Sequence, residues 1–320
     1  MTRPRCAILD DYQRVALDCA DWGVLRHAVD VRSFDTPIGD REAVARALGP
    51  YEIVVAMRER TRFDRALLES LPALRLLVTT AMRNAAIDVA AANERGVTVC
   101  GTGSHPGPAA ELTWSLILAA MRRLPQEFEA FRSGRWQTTV GRSVNGATLG
   151  ILGVGKIGAQ MASVARTFGM RVVAWSRSLD DTRAAALSVE RADSVDHVLA
   201  ASDVVTIHLP LTPDTRGLVG TRELALMKRD AWLVNTARGP IVDEQALVDA
   251  LTQGRIAGAA LDVYDVEPLP AEHPFRRLPN VVATSHIGYV THENYRRFYG
   301  DAVEDIVAWL GGKPVRVLTP

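Results

Sequence analysis

The sequence predicts an α/β protein of two domains, each built around a doubly wound parallel sheet. Short apolar runs typical of buried strands alternate with longer helical stretches along almost the whole chain. These candidate strands form two series, separated by a glycine- and proline-rich stretch at 101–108. At 320 residues the chain is also too long for one ordinary core. We therefore expect two domains with a cleft between them.

The first series predicts four strands and the second predicts six. Because their apolar runs are unbroken, we expect these strands to be buried on both faces and covered by helices on each side. The predicted strands are Cys6–Leu9, Ile53–Ala56, Leu74–Val78 and Val97–Cys100, then Thr148–Leu152, Arg171–Trp175, Asp203–Ile207, Ala231–Val234, Ala257–Leu261 and Asn280–Ala283.

Two long helices flank the second series. Pro108–Leu124 is apolar nearly all round, so we expect it to be buried between layers or at a subunit interface. His292–Leu310 follows the last strand and ends at a pair of glycines. We therefore expect residues 101–287 to form one domain, and residues 1–100 plus 288–320 to form the other.

Composition and charge narrow the classes of function. Lys and Arg together number 37, as do Asp and Glu, so the charge balance does not favour a nucleic-acid or anionic-membrane partner. The sequence contains neither an apolar run of membrane-spanning length nor the apolar stretch of a signal peptide. Three scattered cysteines and the lack of metal-ligand spacing predict neither a disulfide nor a metal site. We expect a cytoplasmic protein that works without a metal.

A glycine-rich turn follows the first predicted strand of the second series. Gly153, Gly155 and Gly158 form the pattern G-x-G-x-x-G between that strand and a helix expected to begin near Lys156. In such turns the first glycine allows the tight bend, the second the approach of a pyrophosphate, and the third close packing of helix on strand. The phosphates would lie at the helix N-terminus, beside Lys156 and Ile157. The alternative is an ordinary tight turn, but the flanking strand and helix favour a dinucleotide site.

The residues after the next predicted strand bear on the choice of cofactor. Dinucleotide-binding folds usually carry an acid there, which binds the ribose 2′-hydroxyl. This chain has Ser176 in that place, followed by Arg177. Serine and arginine can bind a 2′-phosphate through charge-assisted hydrogen bonds. We expect NAD(H) or NADP(H), with NADP(H) used at least as well; the alternative is that Arg177 is only a solvated surface residue.

Three ionisable side chains follow successive strands of the second series. Arg238 comes first, Glu267 follows the next strand and His286 follows the last. Because parallel sheets bind ligands at the carboxyl ends of their strands, we expect the three side chains at one edge. Hydride transfer to a 2-keto acid needs a proton donor, and an imidazole beside a carboxylate suits that task near neutral pH. A guanidinium can bind the substrate carboxylate through two parallel hydrogen bonds.

Each of these residues has a plainer interpretation when taken alone. A single histidine at a strand end is more often structural, and an arginine with a glutamate is more often a salt bridge. Their position downstream of a dinucleotide turn favours the chemical interpretation.

The motifs together resemble those of a known family. The glycine turn and the segments NTARGPIVDEQAL, LDVYDVEP and SHIGYVT occur in an order and spacing that resemble the D-isomer-specific 2-hydroxyacid dehydrogenases. The resemblance covers nearly the whole chain and implies a Rossmann-type cofactor domain, a flavodoxin-like substrate domain and a homodimer joined through the cofactor domain. It implies that His286 is the general acid/base, that Glu267 is its partner and that Arg238 orients the substrate. The implied substrates are small 2-keto acids such as glyoxylate or hydroxypyruvate.

The resemblance also implies further contacts with cofactor and substrate. The segment containing Ala81 and Met82 resembles a loop whose backbone amides bind the substrate carboxylate, although it departs from the usual glycine- and aspartate-containing form. The other candidates all belong to the cofactor site: Thr236, Ala237 and Asp262 beside the nicotinamide ribose and ring, Gly288, and His208, Leu209 and Pro210 on the adenosine side.

A different class of protein remains open as an alternative. Transcriptional corepressors that share this fold sense a dinucleotide and recruit a partner. Arg238, Glu267 and His286 do not exclude such a binding protein, because those corepressors resemble the enzymes there too. The chain has no long disordered tail, which argues against this alternative. Turnover of NADPH with glyoxylate or hydroxypyruvate discriminates between the two.

Overall fold

The structure is a computed structural model that describes residues 3–320. The chain forms two compact units. The first unit runs to Pro106 and includes Val290–Pro320, and the second is Gly107–Tyr289. The boundaries expected from the sequence, at residues 100 and 288, lie a few residues before the observed ones.

The first unit is built on a five-stranded sheet. Its strands are β1 (Arg5–Ile8), β2 (Asp30–Ser33), β3 (Ile53–Ala56), β4 (Leu76–Thr79) and β5 (Thr98–Gly101). Its first helices are α1 (Arg41–Leu48), α2 (Arg65–Glu69) and α3 (Val89–Glu94), with a 3₁₀ turn at Trp22–Leu25. All neighbouring strands are parallel in the order β2-β1-β3-β4-β5, which is the flavodoxin-like order.

The second unit is built on a seven-stranded sheet. Its strands are β6 (Thr148–Leu152), β7 (Arg171–Trp175), β8 (Glu190–Arg191), β9 (Val204–Ile207), β10 (Trp232–Asn235), β11 (Gly258–Leu261) and β12 (Val281–Ala283). Its helices are α4 (Pro108–Met121), α5 (Leu124–Arg132), α6 (Lys156–Thr167), α7 (Asp181–Leu187), α8 (Val195–Ala201), α9 (Thr221–Leu226) and α10 (Glu244–Thr252), with 3₁₀ turns at Gly239–Ile241 and Pro274–Arg276. The chain then returns to the first unit through α11 (His292–Leu310).

The strand order of the second unit is β12-β11-β10-β9-β6-β7-β8, and all neighbours are parallel. Counted within the unit, this is the Rossmann order 3-2-1-4-5-6 with one further strand at the edge. The order reverses between β6 and β9, where such folds bind their ligands. The predicted fold class, two doubly wound parallel sheets, is therefore confirmed.

Two strands were not expected from the sequence, and both lie at sheet edges. The side chains of β2 are exposed or half-buried, and the two residues of β8 are exposed. Neither segment carries the apolar run that marks a buried strand. The other strands match the predicted ones to within one or two residues at each end, and α11 has the predicted bounds.

The helix predicted at 108–124 is interrupted, which corrects that expectation. α4 ends at Met121, Arg123 adopts a left-handed conformation with φ of +52°, and α5 begins at Leu124 with Pro125 in its first turn. A proline at the start of a helix lacks the backbone N–H that would continue the preceding turn. Apolar side chains of α4, among them Trp114 and Ile117, pack into the core of its own unit.

The second unit has a separate apolar core on each face of its sheet. One core joins α4 and α6 to the sheet, with Met161 and Ile151 fully buried in it. The other includes side chains of α8, α9 and α10, with Leu199 and Leu251 buried. The sheet is thus held from both sides, and its carboxyl edge is a rigid base for the loops that leave it.

Candidate active site

Five neighbouring strands of the second unit end side by side. Their last residues pair across the sheet in one row, formed by Leu152, Ile207, Asn235, Leu261 and Ala283. The segments that leave these strands therefore start at one edge of the sheet. These segments are the glycine turn, residues 208–210, residues 236–238 and the two segments that lead to Glu267 and His286.

The glycine turn has the features that a bound pyrophosphate requires. Gly153 has φ of +100°, and a Cβ there would lie 2.7 Å from a carbonyl oxygen of the segment after β9. A Cβ on Gly158 would lie 2.2 Å from the carbonyl oxygen of Gly153, whereas a Cβ on Gly155 would have no described atom within 4 Å beyond its own chain neighbours. Among the described residues no side chain caps α6, and its first residues, Lys156 and Ile157, are exposed. Packing thus requires glycine at positions 153 and 158. Gly155 leaves open space in front of the uncapped N-terminal amides of α6.

Two arginines follow β7, and one of them contacts the glycine turn. Ser176 and Arg177 follow the strand as expected, and Arg177 is mostly exposed with Nη1 3.6 Å from Asp214 Oδ2. Arg183, in the first turn of α7, was not anticipated. Its Nη2 donates to the carbonyl oxygen of Val154 inside the glycine turn at 2.9 Å. Only its position, seven residues after Ser176, would have pointed to it.

Residues 208–210 border the turn from the other side. The main chain of His208 packs against Gly153, and its Nε2 lies 2.9 Å from Thr206 Oγ1. Burial lowers the pKa of His208 to about 3, so its ring is neutral at physiological pH. Leu209 is half-buried against the same glycine, and Pro210 is exposed. These residues therefore offer an uncharged surface beside the turn.

Asn235 shapes the segment that carries Arg238. Its Oδ1 accepts the amide of Ala237 at 3.1 Å, and its Nδ2 donates to the carbonyl of Arg238 at 2.9 Å. Arg238 Nη1 donates to the carbonyl of Ala237 at 2.7 Å, while Thr236 Oγ1 lies 2.7 Å from Thr113 Oγ1. Asn235 was not named from the sequence, although a polar residue ending the apolar strand WLVN was a signal.

His286 and Glu267 form a direct pair. Nδ1 of His286 lies 2.5 Å from Oε2 of Glu267, and both side chains are mostly buried. The other carboxylate oxygen, Oε1, accepts the amide of Tyr264 at 3.0 Å. The hydroxyl of Tyr264 donates to the carbonyl of Thr284 at 2.6 Å and so ties the Glu267 segment to the His286 segment. The pair is thus fixed through both of its members.

Asp262 is buried and bonded entirely within the protein. Its Oδ1 accepts from Thr284 Oγ1 at 2.6 Å and from the amide of Ile287 at 2.8 Å, and its Oδ2 accepts the amide of Gly288 at 2.8 Å. Burial raises the pKa of Asp262, and these bonds with the nearby His286 partly oppose the rise. Asp262 therefore organises the His286 loop.

Ala81 and Met82, the substrate-binding candidates of the first unit, follow β4. The amide of Ala81 donates to Thr102 Oγ1 at 2.8 Å, so a substrate carboxylate at this amide would have to compete with an internal acceptor. Met82 is 45% exposed. The sequence did not anticipate that Thr102 binds this amide.

The carboxyl edge of the first unit's sheet carries unusual backbone conformations. Asp10 lies two residues after the end of β1, Arg58 two residues after β3 and Ala81 two residues after β4. These three strands are neighbours in the sheet. All three have positive φ, at 58°, 52° and 74°. Such conformations in residues other than glycine cost free energy and cluster at functional sites. This edge is therefore a candidate functional edge of the first unit.

Three further features of the described residues concern metal binding, membrane spans and the cysteines. Among residues 3–320, no three His, Cys, Asp or Glu side chains are grouped so that they could hold a metal ion. In the same part of the chain, no helix is both long enough and apolar enough to cross a membrane. Cys6, Cys19 and Cys100 are free thiols.

The sequence is similar to that of known dehydrogenases. Residues 114–288 match the family model described as D-isomer specific 2-hydroxyacid dehydrogenase, NAD binding domain. A glyoxylate reductase from Aeropyrum pernix is 42% identical over 262 residues, which cover 79% of this chain and 78% of that protein. A D-3-phosphoglycerate dehydrogenase from Methanocaldococcus jannaschii is 37% identical over 75% of this chain, but this match spans only 46% of its length.

The structure has similar neighbours. A phosphoglycerate oxidoreductase from Vibrio cholerae has a TM-score of 0.91 and 36% sequence identity, over 97% of this chain and 99% of that one. The similarity therefore extends over both units, beyond the residues that the family model matches.

Proposed function

Because the chain belongs to the D-isomer specific 2-hydroxyacid dehydrogenase family, we propose that it reduces a small 2-keto acid, such as glyoxylate or hydroxypyruvate, to the D-2-hydroxy acid. NADH or NADPH is the proposed hydride donor. The observation that carries this proposal is the 2.5 Å pair of His286 and Glu267, which starts from the same sheet edge as the glycine turn. That edge provides a place for a dinucleotide and a proton donor together.

The residues around the glycine turn fit a nicotinamide dinucleotide. The open space at Gly155 and the uncapped N-terminus of α6 suit the pyrophosphate. When bound, the reduced dinucleotide supplies the hydride that adds to the carbonyl carbon of the substrate. The residues proposed to hold it are Gly153, Gly155, Lys156, Ile157, Gly158, Ser176, Arg177, His208, Leu209, Pro210, Thr236, Ala237, Asp262 and Gly288.

The proposed role of His286 is to donate the proton. Because Nδ1 faces Glu267, proton transfer to the substrate carbonyl oxygen would come from Nε2. As the carbonyl carbon gains a hydride, its C=O double bond becomes a single bond and the oxygen takes the Nε2 proton. Glu267 stabilises the imidazolium before the transfer and orients the ring. In the oxidative direction the neutral imidazole takes the proton back.

Arg238 is proposed to bind the substrate carboxylate. A guanidinium can form two parallel hydrogen bonds to a carboxylate, which fixes its direction. The bonds from Asn235 hold the Arg238 backbone, and the bond to the Ala237 carbonyl orients its side chain. Ala81 and Met82 remain proposed substrate-binding residues on the first unit. Because Thr102 already accepts the Ala81 amide, we expect Met82 to contribute more.

We infer that NADPH serves at least as well as NADH. Ser176 and Arg177, and not an acid, directly follow β7, and Arg183 bonds to the glycine turn. Arg177 is exposed and interacts only loosely with Asp214, and Arg183 is attached to the turn itself. Both guanidinium groups could bind the negatively charged 2′-phosphate, which an acidic side chain at this position would repel.

We also propose that the chain forms a homodimer through its second unit. α4 packs mostly into its own core, whereas α5 and the segment after it carry several exposed large apolar side chains. Phe128, Phe131, Trp136 and Val140 are all more than half exposed there. Large apolar side chains close together on a surface mark an interface.

A direct assay tests the proposed reaction. Oxidation of NADPH and NADH is followed by the absorbance of the reduced nicotinamide in the presence of glyoxylate, hydroxypyruvate and longer 2-keto acids. Chiral chromatography of the hydroxypyruvate product then gives its configuration. We expect turnover with a D-product. Cofactor binding without turnover of any 2-keto acid would contradict the proposal and favour a dinucleotide-sensing binding protein.

A further inference from the structure

A polar cavity of about 470 Å³ lies in the second unit, and Asp265 of the segment that carries Glu267 lines it. Glu244, the first residue of α10, and His273 line the same cavity. We propose that Glu244 and His273 are positioning residues, which hold the segment from Tyr264 to Glu267 so that Glu267 meets His286. This inference rests on the proposed acid/base role of that pair.

Glu244 uses its two carboxylate oxygens for two different donors. Oε2 accepts the backbone amide of Asp265 at 3.2 Å. Oε1 lies 3.1 Å from Nε2 of His273, and both side chains are mostly buried. The first bond fixes the main chain two residues before Glu267, and the second fixes Glu244. A partly buried charged acceptor makes stronger hydrogen bonds than a neutral one, so these bonds restrain the segment.

The tautomer of His273 is set by a separate contact. Its Nδ1 accepts the amide of Phe275 at 3.3 Å, where His273 caps the 3₁₀ turn Pro274–Arg276. A nitrogen that accepts a hydrogen bond carries no proton, so the proton of the neutral ring lies on Nε2 and is donated to Glu244. The histidine therefore presents a donor of fixed position to the glutamate.

The restraint reaches Glu267 through one residue, Tyr264. Its amide, adjacent to that of Asp265, donates to Oε1 of Glu267 at 3.0 Å. Its ring lies 6.4 Å from that of Phe275, which is buried. On its other side, the Tyr264–Asp265 backbone packs so tightly against Gly239 that a Cβ on that glycine would lie 2.1 Å from the Tyr264 carbonyl carbon. Loss of the Glu244 bond would free one side of this segment and weaken the alignment of Glu267 with His286.

Glu244→Gln and His273→Asn test the proposal. Glutamine keeps the volume of Glu244 but replaces one of its two acceptor oxygens with an NH₂ group, which would face either the Asp265 amide or the Nε2 donor of His273. Asparagine can still cap the turn through its Oδ1 but loses the bond to Glu244. Glu272→Gln is the matched control, because Glu272 is exposed, binds Arg277 and precedes His273. His273→Asn thus tests the bond to Glu244 while the cap of the 3₁₀ turn is kept, and Glu272→Gln tests the loss of a nearby negative charge alone.

Five quantities are measured for each variant: kcat and KM at saturating cofactor, the pH profile of kcat, the dissociation constant of NADPH, and the NMR signal of the His286 Nδ1 proton. We expect Glu244→Gln and His273→Asn to lower kcat about tenfold, for the loss of one charge-assisted hydrogen bond. The NADPH dissociation constant should change less than about twofold, within the scatter of surface substitutions. The alkaline limb of the kcat profile should move to lower pH, because Glu267 then stabilises the imidazolium less well. Glu272→Gln should behave as wild type.

The outcomes distinguish this inference from the proposed function. Unchanged kcat and pH profile in folded Glu244→Gln and His273→Asn enzymes would overturn the positioning role. If the wild-type protein turns over no 2-keto acid, the proposed function fails, and the NMR signal decides the inference instead. We then expect Glu244→Gln to broaden the downfield Nδ1 proton or move it upfield, and an unchanged signal would overturn it. If Glu244→Gln does not fold, His273→Asn alone gives the answer.

Discussion

Asp262 holds the backbone that follows His286. Its two carboxylate oxygens accept the amides of Ile287 and Gly288, each at 2.8 Å. His286 itself has φ of +56°, a left-handed conformation that costs roughly 1–2 kcal/mol for a residue other than glycine. The carboxylate thus keeps the proposed acid/base in a conformation that it would otherwise avoid.

Asp262→Asn should weaken this arrangement. The side-chain amide can accept one of the two backbone N–H groups, but its NH₂ group would face the other. We expect kcat to fall by about tenfold or more, and the melting temperature to drop by several degrees, as for the loss of a buried hydrogen bond. Asp230→Asn is the control, because Asp230 is exposed in a surface ion pair with Arg142. Wild-type kcat and melting temperature in Asp262→Asn would contradict the positioning role.

His286→Gln should remove the proton donor and leave the cofactor site intact. We expect kcat to fall about 10²–10⁴-fold, the range for loss of acid–base catalysis, with little change in the NADPH dissociation constant. His292→Gln is the control, since His292 is exposed at the start of α11. Steady-state kinetics and fluorescence titration with NADPH provide the two measurements. Near wild-type turnover in His286→Gln would place the acid/base at another residue.

Arg177→Ala and Arg183→Gln should act on NADPH and spare NADH. Each substitution removes a cation proposed to bind the 2′-phosphate, so we expect KM for NADPH to rise about tenfold for each. The dissociation constant of 2′,5′-ADP, measured by calorimetry, should rise in parallel without any turnover. Arg166→Ala, on the exposed surface of α6, is the matched control. A wild-type enzyme with a large preference for NADH would refute the inferred cofactor usage.

Asp305 should make the stability of the protein depend on pH. It is fully buried, and among residues 3–320 its Oδ2 has no hydrogen-bond partner, although Oδ1 accepts from Arg316 Nε at 3.0 Å. Burial raises the pKa of Asp305 to about 7. Because this pKa is higher in the folded state than in the unfolded state, protonation of Asp305 stabilises the folded protein. This contribution to the free energy of unfolding is complete below about pH 4, the pKa of an unfolded aspartate, and is lost as the pH rises through about 7.

Asp305→Asn should therefore flatten the decline in melting temperature between about pH 4 and pH 7. At the upper end of this range, the free energy of unfolding of the variant should exceed that of the wild type by on the order of 2 kcal/mol, because the asparagine stays neutral throughout. Glu304→Gln is the control, since Glu304 is exposed and also binds Arg316. An unchanged decline in Asp305→Asn would show that another group causes it.

Trp136→Ser and Phe131→Ser should weaken the proposed dimer. Both aromatic side chains are mostly exposed, and their ring centroids lie 6.4 Å apart. Buried aromatic anchors contribute roughly 2 kcal/mol or more at interfaces, so we expect the double variant to be a monomer at micromolar concentration. Light scattering after size-exclusion chromatography measures the mass. Val24→Ser, at an exposed apolar position of the first unit, serves as the control. If the wild-type protein is a monomer, the dimer proposal is wrong.

The sequence predicted the fold and the main candidates because buried parallel strands have a strong signal. Unbroken apolar runs located the central strands, and the parallel arrangement then places their carboxyl ends at one edge. For this reason the sequence alone assigns Arg238, Glu267 and His286 to one edge of the sheet. The edge strands β2 and β8 were missed because exposed strands lack that signal.

The supporting contacts could not be predicted, for a different reason. Glu244 meets His273 and Arg183 meets Val154 across separations of 29 residues each, and such pairs depend on the directions of side chains in loops. Spacing along the chain does not determine those directions. The break between α4 and α5 was closer to being predictable, because Pro125 marks it.

The three glycines of the turn differ in how freely they can be exchanged. Side chains at 153 or 158 would collide with main-chain atoms, so substitution there would damage the fold and the cofactor site at once. A side chain at 155 would instead extend into the space assigned to the phosphates, and its φ of −81° is accessible to any residue. Position 155 is thus where engineering can separate the scaffold from its ligand, to produce an intact protein that no longer takes up a dinucleotide.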